Sequence, residues 1–113
     1  MAKIGDYIRM NRILEAIDVC FKNAYEAALI GIQPFVREHL SIAEKILKNS
    51  EVQRLAHELK LEYVIADRQK KLEQYRRDLN RLAEIQHKII YEGKDEELFE
   101  QERYNILKRL VHV

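Results

Sequence analysis

Tryptophan and threonine are missing altogether from these 113 residues, cysteine and proline occur once each, and glycine three times. Each shortage closes off a class of answers. A single cysteine, Cys20, cannot form an internal disulfide, and small secreted domains usually need several, so a reducing, cytoplasmic setting is the expectation. Ser41 and Ser50 are the only serines, both at helix-capping positions, and hydroxyl nucleophiles have almost nowhere else to sit. No glycine-rich loop exists to cradle a phosphate, which removes the P-loop and dinucleotide-binding patterns. The longest apolar run is Ala27–Ile30, against the roughly 18 residues that a membrane span requires. Met1–Met10 carries Lys3, Asp6 and Arg9 without an apolar stretch, so it does not read as a secretory signal. Charge of one sign is also lacking: 20 Lys and Arg face 19 Asp and Glu, a net +1 that creates no overall field for nucleic acid or a membrane surface.

What is present is helix. Apolar residues recur at a spacing of three and four between a few glycine and proline breaks, and strand alternation is nowhere sustained. A first helix is expected over about 6–30, with Met10, Ile13, Leu14, Ile17, Cys20, Phe21, Ala24, Ala27 and Ala28 on its inner side and Gly31 as its C-terminal cap. Its alanines would let another helix approach closely. Pro34 suits the first turn of a second helix running to about Lys48, with Val36, Leu40, Ala43 and Leu47 buried, flanked by Phe35 and Ile46. Ser50 and Gln53 have capping-box spacing and mark the start of the third. From Glu51 to Glu92 no glycine or proline intervenes, so this span reads as one continuous helix of about 40 residues with a soft, polar place at Asp67–Lys71. Asp95 then caps a fourth helix to about His112, acidic at its start and basic at its end, as the helix dipole favours. The expected fold is a single domain over 1–113, all-α, an antiparallel four-helix bundle with a long third helix.

That long helix governs the functional expectation. Phased as a heptad from Ile65, its second half places Leu72, Tyr75, Leu79, Leu82 and Ile89 at core positions, with Arg68 and Gln86 as polar exceptions. A rod about twice as long as its neighbours would leave part of this seam uncovered. These five residues are therefore the candidate interface for a protein partner, a second copy first of all, and the chain is expected to be a non-enzymatic, homodimeric interaction or assembly subunit.

Chemistry has fewer candidates. Di-metal carboxylate bundles need Glu-x-x-His from two helices, and only Glu84 and His87 have that spacing, so neither a metal nor a cofactor is expected. Lys70, Lys71, Arg76, Arg77 and Arg81 form a basic stretch around Tyr75 that could meet phosphates, diluted by Asp67, Glu73 and Asp78. Arg81 followed by His87 resembles the Arg-x(4–6)-His spacing of the HEPN nucleases, which are small, all-helical and usually dimeric. The resemblance implies that these two residues would contact and cleave RNA. Six residues of helix turn about 600°, however, leaving the two side chains roughly 120° apart. RNA binding or HEPN-like cleavage through segment 68–88 is thus the second reading, not the favoured one.

Overall fold

The computed structural model describes residues 2–110, and all its regular structure is helical: α1 (Ile4–Leu29), α2 (Gln33–Lys48), α3 (Ser50–Glu58), α4 (Glu62–Ile90), a 3-10 turn (Glu96–Phe99) and α5 (Glu100–Arg109). Among the described residues no helix is long and apolar enough to cross a membrane. His112, the expected end of the last helix, lies outside them.

The first two helices form as their residues suggest. Asp6 holds the start of α1, its carboxylate accepting from the Lys3 backbone N–H at 3.1 Å. At the other end Gly31 takes φ +74°, Ile32 N–H donates to the Ala27 carbonyl and Gly31 N–H to that of Ala28, both at 3.0 Å. This is a Schellman motif, in which the left-handed residue satisfies the last free carbonyls. Pro34 stands in the first turn of α2, where its missing N–H costs nothing. One residue earlier than the capping-box spacing indicates, Asn49 begins α3, its Oδ1 accepting from Glu51 and Val52 N–H.

The expected third helix is not continuous. It breaks at Leu59–Leu61 into α3 and α4, while the polar place at Asp67–Lys71 is uninterrupted helix. The break is a second Schellman motif: Leu61 N–H donates to the Ala56 carbonyl at 2.8 Å and Lys60 N–H to that of His57 at 3.1 Å. Lys60 supplies the left-handed residue, with φ 58°, in the role that glycine normally takes. Leu59 is buried and Leu61 half-buried, so the turn is held by packing on both sides of a strained lysine. Relief of that strain should be measurable. Lys60→Gly is expected to raise the unfolding free energy by about 0.5–1 kcal/mol in urea titration, because the left-handed penalty of a side chain exceeds the added freedom of the unfolded glycine. A destabilised variant would contradict this account of the turn.

Three contacts fix the direction of α4 relative to α1. Asp18 meets Arg68, Phe21 meets Tyr75 edge to face at 5.0 Å, and the Leu29 carbonyl accepts from Gln86 at 2.8 Å, so the two helices run parallel. The α1–α2 corner turns α2 back alongside both, antiparallel to them, and Arg76 of α4 reaches Glu44 of α2. Helix α5 returns along α4 alone, joined through Arg81–Glu102 and Arg109–Asp78. The continuous core lies among α1, α2, α3 and α4, with Ile106 and Leu110 added from the α5 end. The molecule is a rod of 58 × 22 × 18 Å with a radius of gyration of 16.5 Å, against about 13 Å for a compact domain of this length. Such a shape leaves long lateral faces in water.

Candidate functional site

The seam expected to need a second chain is covered by its own. Leu72, Tyr75, Leu79 and Leu82 are buried, and Ile89 is half-buried against the same core. The two polar exceptions in the heptad explain themselves by contacts across the bundle. Arg68 makes two bonds to Asp18 at 3.2 and 2.9 Å, and Gln86 donates to the Leu29 carbonyl while accepting from Arg103 at 3.2 Å. With α4 reduced to 29 residues, about 44 Å, the 26 residues of α1 run nearly its whole length. The five residues therefore do not form an open interface.

The basic stretch is largely committed within the chain. Arg81 donates twice to Glu102 at 2.7 Å and approaches Glu84 at 3.1 Å, and Lys71 pairs with Asp67 at 3.4 Å. Arg76 lies between Glu44 and Glu73. Hydrogen bonding from Arg81 holds the Glu102 carboxyl below the usual range, hydrogen bonding from Lys88 does the same for Glu84, and Arg76 does so for Glu44. Lys70 and Arg77 are exposed with no ion-pair partner among the described residues. His87 does not join Arg81: it stands at the α1–α2 corner, its ring 5.1 Å from Tyr91 and its backbone against Gly31. The two residues of the HEPN-like spacing thus face different elements, and the carboxylates that meet Arg81, Glu102 and Glu84, are held in ion pairs with it.

Other candidates for chemistry are equally occupied. Cys20 is buried in the core, and burial pushes its thiol pKa up, away from the reactive thiolate. An open cleft of about 340 Å³ lies between the α1–α2 corner and the end of α4. On its rim Glu84 holds Lys88 at 3.3 Å and the Tyr91 hydroxyl donates to the Ile30 carbonyl at 3.2 Å, and Gln33, His87 and Glu92 complete the polar lining. Asp78 is the buried carboxylate among the described residues, and both its oxygens accept from Arg109, at 3.1 and 2.8 Å, which anchors α5.

The uncommitted surface is elsewhere. On α1 the side turned to α4 carries Asp18 and Phe21; Ala16, Val19, Asn23 and Ile30 fall on the opposite flank, beside α2. On α2 Glu44 reaches α4, and Phe35, His39, Ile42 and Ile46 fall on the flank beside α1. The two flanks adjoin and form one face opposite α4. Val19 is 54% exposed, Ile30 51%, Phe35 50% and Ile42 40%. Phe35 is thus not a buried neighbour of the α2 core stripe but part of a second apolar stripe. Its signal was available in the sequence: 35, 39, 42, 46 and 16, 19, 23, 26, 30 are both spaced by alternating threes and fours, the spacing of a helix–helix seam. The face also carries Arg12 and Glu26 on α1 and Glu38 and Lys45 bordering it on α2, none with an ion-pair partner among the described residues. The chain matches no known family model, no curated protein and no solved structure, so its functional reading rests on this surface.

Proposed function

We propose that this chain is a non-enzymatic, homodimeric assembly subunit that associates through the outer face of its α1–α2 hairpin. One observation carries the reading. Two adjoining helices present Val19, Ile30, Phe35, Ile42 and Ile46 at seam spacing, interspersed with Asn23, Glu26 and His39, on a face that no other element covers among the described residues, whereas the contacts of α4 with α1, α2 and α5 are filled and ion-paired within the chain. Val19, Ile30, Phe35 and Ile42 are each about half in water, and covering that remaining half contributes roughly 0.8–1.5 kcal/mol per side chain. The stripe extends about 27 Å along α1, from residue 12 to 30, and about 17 Å along α2, from residue 35 to 46. Specific dimers commonly bury about 800 Å² per partner, so the contact must also take in the bordering residues Ile8, Glu38 and Lys45. The interface expected on α4 is replaced by one on the opposite side of the bundle.

Light scattering coupled to size separation tests the reading. At about 100 μM the chain should have twice its mass of 13.5 kDa, and the double variant Val19→Asp/Ile42→Asp should return it to 13.5 kDa with unchanged helix content. A wild-type chain that stays at 13.5 kDa, or a dimer that both aspartates leave intact, would refute it.

A further inference from the structure

The free charges on this face are arranged symmetrically, and an isologous contact requires that a surface be complementary to itself. Arg12 and Glu26 lie seven residues on either side of Val19 along the exposed flank of α1. Two α1 helices crossing antiparallel at Val19 place residue i against residue 38−i. Arg12 then meets Glu26 of the second copy, twice by symmetry, and Ile8, 50% exposed, meets Ile30 of the second copy, 51% exposed.

Helix α2 carries the same device independently. Glu38 and Lys45 are seven residues apart, and their midpoint falls beside Ile42. Counting outward from the tight corner at Gly31 at equal rise on both helices sets Val19 level with residue 43. The midpoint between Glu38 and Lys45 lies about 2 Å from that height, so an axis at Val19 leaves the two side chains offset by about 4–5 Å along the helices, a gap the long lysine side chain can span. One twofold axis, perpendicular to the helices and in the plane of the face, therefore pairs both sets.

From this geometry we infer that the partner is a second copy held in one antiparallel register, α1 on α1 and α2 on α2, in which Arg12–Glu26 and Glu38–Lys45 contacts between copies select the register. The inference rests on the proposed function, since it needs the α1–α2 face to be the associating surface. Sliding either copy by one heptad sets Arg12 against Val19 or Gln33 of the other, leaving its charge without an acid partner at the edge of an apolar contact. The four free ions are thus matched in this register and stranded in its neighbours.

Charge exchange tests it. In sedimentation equilibrium at about 50 mM salt, where surface charges are little screened, Arg12→Glu or Glu26→Arg alone should weaken the dimer roughly tenfold, and the double exchange should restore it to within about threefold. Val19→Cys, on the axis, should oxidise to a covalent dimer, while Arg12→Cys should not. Single reversals without effect, a double exchange no better than the worse single variant, or linkage at position 12 in place of 19 would overturn the register. If Val19→Asp/Ile42→Asp still dissolves the dimer in that case, the face survives and only the register fails. If the aspartates also do nothing, the functional reading falls with it.

Discussion

Alanine at position 31 should destabilise the chain by about 3–5 kcal/mol, which for a domain of ordinary stability removes a large share of the total. Two costs combine at this residue. Its φ of +74° lies in the left-handed region, where a side chain loses about 1–2 kcal/mol. The larger cost is steric. A Cβ here would stand 2.6 Å from the His87 backbone nitrogen and 2.9 Å from Gln86 C and His87 Cα. These are backbone atoms of α4 and cannot rotate away, so the α1–α2 corner must lift off the helix. Lifting would also loosen the Gln86 bond to the Leu29 carbonyl and the Tyr91 bond to the Ile30 carbonyl, which flank the corner. Gly93 provides the control. It has a similar φ of +68°, but an added Cβ would meet nothing within 4 Å, so Gly93→Ala should cost only about 1 kcal/mol. Denaturant titrations of the two variants should therefore differ by about 2 kcal/mol or more. Equal losses would mean that the corner can move freely against α4.

The same comparison of glycines explains how far the architecture could be read from residues alone. Gly31, Pro34 and Asp95 are explicit signals, and the elements they bound appear where they indicate, although Asp95 introduces a 3-10 turn before α5 in place of one continuous helix. The break at Lys60 has the same hydrogen bonds as the corner at Gly31 but no residue that announces it. Tertiary packing of Leu59 and Leu61 there outweighs the left-handed penalty of a lysine, a balance that propensity along the chain does not reveal. From that one missed turn came a rod of about 40 residues, and from the rod an uncovered seam. Once α3 and α4 are separate, α1 is long enough to line α4 and the seam closes on itself.

The heptad phase from Ile65 was legible and so were its exceptions, because Arg68 and Gln86 sit at core positions for which α1 supplies Asp18 and the Leu29 carbonyl. The second stripe on α1 and α2 was equally present in the spacing. It was hidden by the first: on a two-faced helix, Phe35 and Ile46 fall close enough to Val36 and Leu47 to pass as flanks of the core. Only the position of α4, on the other side of the hairpin, separates them. Surface identity of this kind depends on which neighbours are absent, and local sequence carries little of that information.

Leu79→Ala distinguishes a core residue from an interface residue. Leu79 is fully buried within one chain, in the row that includes Tyr75 and Leu82. Truncation should cost about 2–5 kcal/mol, the sum of lost transfer energy and an unfilled cavity, and lower the melting temperature by roughly 10–20 °C. The size of the loss should not depend on protein concentration once the chain is held monomeric by Val19→Asp/Ile42→Asp, because no second copy contributes to the packing around it. Were Leu79 part of a seam between chains, the cost would fall on association, the monomer would lose little stability, and the loss would fade on dilution. The dimer itself should weaken only through the smaller folded fraction, since the proposed contact lies on the opposite face of the bundle. Unfolding curves measured over a hundredfold range of concentration, with and without the two aspartates, separate these outcomes in one experiment.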